Sequence, residues 1–218
     1  MEVMSRIRAL LGRLAPLLGF RGSRDYWETR YRIGGHSGEG SRGKVADYKA
    51  EVLNAFFARH DVRSVIEFGC GDGYQLKMLS IPQYVGVDVS KTILEHCRTL
   101  FAGDATKRFV SVDEYAGERA DVSMSIDVIF HLVEDAVYDE YLARLFAAGE
   151  RFVIVYSTSG DMPDTGVKHV RHRDVVADIA RRFPQFERLA SEEATLPPPV
   201  RFDRGLPTVF HFYARTAA

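Results

Sequence analysis

Ser64-Val65-Ile66-Glu67-Phe68-Gly69-Cys70-Gly71-Asp72-Gly73-Tyr74 decides the fold of this chain. A short apolar run closes on an acidic residue, Glu67. Three glycines follow at alternate positions, and a helix-like segment begins after them. A second run, Tyr84-Val85-Gly86-Val87-Asp88, ends in another carboxylate. Ligands of an open parallel sheet sit beyond the carboxyl ends of its strands. There a glycine turn offers bare backbone, and an acid closing the next strand accepts from ribose hydroxyls. The two runs together predict a nucleotide-like cofactor at the tip of a parallel sheet.

The glycine spacing separates cofactor classes. A dinucleotide fingerprint places its third glycine three positions after the second. Here it comes two positions after, at Gly73, so NAD is disfavoured. The pattern Glu-x-Gly-x-Gly-x-Gly resembles motif I of class I S-adenosylmethionine (SAM) dependent methyltransferases, and Asp88 matches that family's ribose-binding acid. The resemblance implies SAM as cofactor, with S-adenosylhomocysteine (SAH) as product.

The chain has 218 residues, enough for one domain with a full core. Its formal net charge of -1 calls for no nucleic-acid partner. The two cysteines, Cys70 and Cys97, have no metal or redox spacing, and reduced thiols in a cytoplasmic protein are the simplest reading. Near the start, Val3, Ile7, Leu10, Leu11, Leu14 and Leu18 recur at helical spacing, with Arg6, Arg8 and Arg13 among them. Residues 1–24 therefore read as an amphipathic helix or arm. Its apolar face suits a partner protein or its own domain, and the arginines leave a membrane-peripheral position open. The arginines and the lack of a small-residue cleavage site disfavour a signal peptide.

Residues 25–44 read as a lid. Tyr26, Arg30 and Tyr31 precede a loop rich in glycine and serine, and such loops often close active sites. The remainder, 45–218, reads as the catalytic domain. Helices are expected at 45–60, 74–79, 90–101, 135–147 and 173–183, and strands at 64–68, 84–88, 108–112, 120–126, 151–156, 186–190 and 208–214. Alternation of strands and helices demands parallel strands with right-handed crossovers. Only a loop is expected between the last two strands, which makes them an antiparallel pair. The reading is an α/β, Rossmann-like class I methyltransferase fold: a seven-stranded, mostly parallel sheet with a reversed last strand and helices on both faces.

Expected cofactor contacts come from the strand ends: Glu67, Gly69, Cys70, Gly71, Asp72 and Gly73 after strand one, Asp88 and Val89 after strand two, Asp113 after strand three, Asp127 after strand four. Tyr26, Arg30 and Tyr31 join them from the lid. The stretch Asp127-Val128-Ile129-Phe130-His131-Leu132-Val133-Glu134-Asp135 resembles motif IV of the same family. That resemblance puts Asp127 near the sulfonium and makes His131 a candidate general base. An unperturbed histidine is largely neutral at pH 7 and so able to accept a proton. His169 and His172 are the further catalytic candidates.

After strand five, Lys168-His169-Val170-Arg171-His172-Arg173 forms a cationic cluster. With Tyr156, the side chains of His169, Arg171 and Arg173 are expected to bind the acceptor, because an arginine fork reads phosphate or carboxylate. Asp127, Glu134 and Asp135 make no octahedral set, so metal-assisted chemistry is not expected. Most of the chain resembles a small bacterial subgroup of these methyltransferases, some of which accompany surface-polysaccharide or glycosyltransferase functions. The implied activity is methyl transfer to an oxygen or nitrogen of a small-molecule or glycan acceptor. The alternative is a non-catalytic SAM-binding subunit of a glycosyltransferase or membrane assembly.

Overall fold

A computed structural model describes residues 20–158, 160, 166–200 and 208–216. The expected N-terminal amphipathic helix lies almost wholly outside the described residues. No helix among them is long and apolar enough to cross a membrane. The described residues begin with α1 (Ser23–Arg32) and α2 (Gly43–Arg59). Then follow β1 (Ser64–Phe68), β2 (Gln83–Asp88), α3 (Lys91–Leu100), β3 (Lys107–Ser111), β4 (Ala120–Ile126), α4 (Asp135–Ala148) and β5 (Gly149–Ser157). They close with α5 (Val175–Arg182), β6 (Phe186–Arg188), α6 (Ala190–Ala194) and β7 (Val209–Arg215).

The seven strands form one sheet in the order β3-β2-β1-β4-β5-β7-β6. Pairings from β3 through β5 are parallel, and β7 runs antiparallel to both β5 and β6. Alternate strand residues face opposite sides, and both sides are covered. Val65, Ile154 and Tyr156 pack with Val52, Leu53 and Phe56 of α2 and Leu94 of α3. Ile66, Val153 and Val155 pack with Leu142, Leu145 and Phe146 of α4 and Ile179 of α5. Burial on both faces explains why β1 and β5 read as continuous apolar runs rather than alternating ones.

Three expectations need correction. The segment after the glycine loop is a short 3-10 turn, Gln75–Met78, rather than a helix from Tyr74 to Leu79, because Pro82 and the start of β2 leave no room to propagate it. The connection between the last two strands holds α6, not loop alone. The proposed boundary at residues 24 and 25 falls inside α1, so the arm and the lid share a helix.

Candidate active site

The strand ends converge where the order reverses, between β1 and β4. Gly69 and Gly71 adopt φ of +79° and +56°, values that glycine reaches without steric cost. The turn is pinned from behind. Gly69 N–H donates to the Val87 carbonyl (2.7 Å) and Gly71 N–H to Asp88 Oδ2 (3.0 Å), while Asp88 Oδ1 accepts from Ser90 N–H (2.9 Å). Cys97 Sγ reaches the Gly71 carbonyl at 3.2 Å. One acid thus ties the glycine turn to the start of α3, whose first turn is capped by Ser90 Oγ accepting from Ile93 N–H. Burial pushes the Asp88 carboxyl up to about 6, against the amides that favour its charged form.

Above this turn lies a cavity of about 500 Å³. Gly69, Gly71, Asp88, Val89, Asp113, Asp127, His131 and Tyr31 line it, as expected from the sequence. Trp27, Ser37 and Val128 line it too, and sequence reasoning missed them. Asp113 is more than half exposed and paired with Arg24 at 2.7 Å.

Ser37 and Arg42 are fastened to the glycine turn through Asp72. Its carboxylate accepts from Ser37 N–H (3.0 Å) and from Arg42, whose Nη2 lies 2.5 Å from Oδ2. In return Asp72 N–H donates to Ser37 Oγ (3.0 Å), and that hydroxyl lies 3.1 Å from the Tyr31 hydroxyl. Arg42 also sits over the Tyr74 ring at 4.2 Å. Asp72 therefore ties residues 37–42 to the turn and does not line the cavity.

The other expected residues are placed elsewhere. Glu67 is buried and accepts from the Tyr84 hydroxyl (2.6 Å) on the α2 side of the sheet. Burial raises its carboxyl to about 7, with Tyr84 and Lys49 pulling the other way. The raised value lies above that of an unfolded glutamate, so this group favours folding at acid pH. Its contribution is lost as pH climbs towards 7. Glu67→Gln keeps the acceptor for Tyr84 and removes that slope. Denaturant titration of the variant is expected to show a gain of about 1–3 kcal/mol over the parent at alkaline pH and little change near pH 4. An equal effect at both pH values would refute the buried-acid account.

Cys70 lies behind the turn, its Sγ close to where a Cβ on Gly86 would stand, and Gly73 packs against Phe101. Arg30 Nε donates to the His36 carbonyl (2.7 Å) and its guanidinium lies over Trp27 at 5.7 Å. Tyr156 is buried beneath Lys49.

The cationic cluster after β5 does not reach the cavity wall. Arg171 donates to the Val133 carbonyl (2.9 Å) and pairs with Asp135 (2.9 Å). Arg173 donates to the Leu132 carbonyl (2.6 Å), pairs with the same Asp135 and covers the Tyr138 ring at 4.2 Å. Both arginines brace the loop after β4 and the start of α4, Arg171 through Nη1 alone. His172 Nδ1 lies 3.0 Å from Thr158 Oγ1. His169 stacks on Tyr26 with centroids 4.1 Å apart and ring Nε2 3.1 Å from the Tyr26 hydroxyl. Tyr26 and His169 together stand behind His131, not in the cavity.

His131 is held with some care. Its Nδ1 lies 2.9 Å from the His169 carbonyl, which has only lone pairs, so Nδ1 carries the proton and Nε2 the lone pair. Trp27 meets the ring edge-on at 4.9 Å. Ser23 Oγ lies 2.7 Å from the His131 carbonyl and 2.6 Å from Glu134 Oε2, docking α1 on the same loop. Burial drives the imidazole down to about 4, outweighing the His169 carbonyl that favours the charged form.

Residues 66–154 match the family model described as a methyltransferase domain. Over that segment the chain is similar to a methyltransferase domain. No curated protein matches the sequence. Among solved structures, magnesium protoporphyrin IX methyltransferase from Synechocystis with bound SAH is similar at 15% identity and a TM-score of 0.61, over 88% of this chain and 98% of that one. The 1,6-didemethyltoxoflavin-N1-methyltransferase of Burkholderia thailandensis, with its substrate and SAH, is similar at 20% identity and a TM-score of 0.60, over 89% and 87%. N-methyltransferase NodS from Bradyrhizobium japonicum gives 12% identity and a TM-score of 0.60, over 78% and 96%. At these identities the structures establish the methyltransferase fold. The matched segment opens at Ile66, one residue before Glu67, so it takes in the glycine turn, Asp88 and His131.

Proposed function

We propose that this methyltransferase domain takes its methyl group from SAM and delivers it to an oxygen of a small-molecule acceptor, with a sugar hydroxyl as the first class to test. The cavity suits an adenosyl compound in size, since such sites run to several hundred Å³. Its chemistry suits one too. Asp88 offers the ribose a carboxylate, Asp113 stands at the next strand end, and a glycine turn leaves backbone exposed where any Cβ at Gly69 would overlap Val128. When bound, SAM supplies a methyl already activated by its sulfonium. The protein's own task is alignment and the removal of one proton.

His131 carries the second task, and its placement is the observation on which this reading rests. The ring lies in the cavity wall with the Nε2 lone pair left over after Nδ1 is bound. A conjugate acid near 4 makes a weak base towards a neutral hydroxyl, yet a sufficient one towards a hydroxyl turning into an oxonium as the new bond forms. The low value keeps the ring neutral throughout the physiological range. Trp27 and Tyr31 supply the aromatic wall beside it, which suits the flat or apolar face of a ring-shaped acceptor. An amine acceptor is the second reading, favoured by the nitrogen-methylating names of two structural relatives.

A labelled-methyl transfer assay over hydroxylated small molecules, sugar precursors and amines tests the proposal. Once an acceptor is found, His131→Gln is expected to lower kcat by about 10²–10⁴-fold while SAH still binds. In the parent enzyme the acid limb assigned to this histidine should lie near pH 4 rather than near that of a free imidazole. A variant that transfers at the parental rate would remove His131 from the chemistry.

A further inference from the structure

Lys49 is the most deeply buried charged side chain near the site, only 1% exposed. It lies on α2, on the face that otherwise carries Val45, Tyr48, Val52, Leu53 and Phe56 into the core. A buried ammonium is costly unless it is paired, and this one is paired selectively. Its Nζ stands 2.5 Å from Asp127 Oδ2 and 5.1 Å from the centre of the Tyr156 ring. Glu67 is a second, more distant carboxylate in its field.

Asp127 is unusual on its own account. It holds a left-handed backbone at φ +59°, a conformation that is strained for a non-glycine residue and that the surroundings must enforce. Two contacts do so: its N–H donates to the Tyr156 carbonyl at 2.9 Å, and its carboxylate is gripped by Lys49. The side chain still lines the cavity and is 17% exposed there.

We propose that Lys49 is a positioning residue that presents Asp127 as the carboxylate receiving the ammonium of the cofactor's amino-acid end. The inference rests on the SAM reading above and extends it. Sheet order gives the direction. Asp88 and Asp113 close β2 and β3 on one side of β1, while Asp127 follows β4 on the other. A ligand whose ribose meets Asp88 and whose base lies towards Asp113 turns its amino-acid part towards Asp127. Glu67, the acid that the family resemblance offers for this task, is buried, spends an oxygen on Tyr84 and does not line the cavity. Lys49 has one oxygen of Asp127 in hand and leaves the other for the ligand. Two cations then flank one carboxylate, a geometry that neither partner holds alone.

The test compares two ligands by calorimetry. SAH carries the amino-acid end, and 5′-methylthioadenosine has the same adenosine and lacks that end. Lys49→Met is expected to weaken SAH by about 10–100-fold, equivalent to roughly 1.4–2.7 kcal/mol, and to leave 5′-methylthioadenosine unchanged. Lys49→Arg should recover part of the loss. Should Lys49→Met fail to fold, Asp127→Asn gives the same decision with the same two ligands. Equal weakening of both ligands, or of neither, overturns the role assigned to Lys49. Failure of the parent protein to bind either ligand is a different result, and strikes the SAM reading itself.

Discussion

Gly69→Ala is expected to abolish detectable SAH binding and to lower stability by about 2–3 kcal/mol. Two costs add at this position. The residue sits at φ +79°, where an L side chain is strained by roughly 1–2 kcal/mol. The new Cβ would also overlap the Cγ2 of Val128, a β-branched side chain with little rotamer freedom to retreat. Relief requires moving either the glycine turn or the loop carrying Asp127, Val128 and His131, and the cavity lies between them. Thermal melts with and without SAH measure both effects, because a ligand specific for the folded state raises the midpoint. A variant that melts like the parent and is stabilised equally by SAH would show that the turn tolerates the Cβ and does not shape the cavity.

The second large effect is expected at Asp88. Its two oxygens receive the N–H groups of Gly71 and Ser90, and the same carboxylate lines the cavity. Asparagine offers one oxygen and one NH₂, so it must turn a donor towards one of two backbone donors. Asp88→Asn therefore weakens the turn as well as the ribose contact, and SAH affinity should fall at least about 100-fold, some 2.7 kcal/mol. The same group sets a pH dependence in the parent. The ionised carboxylate is the accepting form, and in the empty protein it protonates near 6. Affinity for SAH is full above that value and declines as pH falls through it, while Asp88→Asn should flatten the profile. Calorimetry on either side of pH 6 measures this, and an unchanged affinity in the variant would remove Asp88 from the site.

The strands were legible because each is a short apolar run with its own stop signal, and both sheet faces are buried. The seven-stranded, mostly parallel sheet with a reversed last strand followed from the glycine turn and Asp88 through the family they resemble, and the structure has it. Elements with no stripe of their own were not legible. Ala190–Ala194 makes only five residues of helix, and its acids take their positions from partners outside it: Glu192 bonds Arg59 and His60, and Glu193 bonds Arg188 and lies 3.5 Å from His211 Nδ1. The partners of charged side chains near the site were hidden for the same reason. A linear sequence shows Arg171 and Arg173 as a cationic pair, but not that the chain folds back to offer them Asp135 and two carbonyls. Asp72 was read as a cofactor contact when its partners, Ser37 and Arg42, stand some thirty residues earlier.

Two signals were present and went unread. Lys49 falls four residues after Val45 and three before Val52, on the buried face of its helix, where a lysine demands a partner. Trp27, the chain's single tryptophan, lies one turn before Tyr31 and shares its wall of the cavity. The geometry of His131 had no such signal, since the carbonyl that fixes its tautomer belongs to a residue 38 positions away.

Calorimetric titration of the folded parent protein with SAH, set beside NAD, tests the central claim most directly. The glycine turn, Asp88 and the cavity above them predict saturable uptake of SAH by each chain and none of NAD. Uptake of NAD, or no uptake of SAH by protein that melts cooperatively, would contradict it.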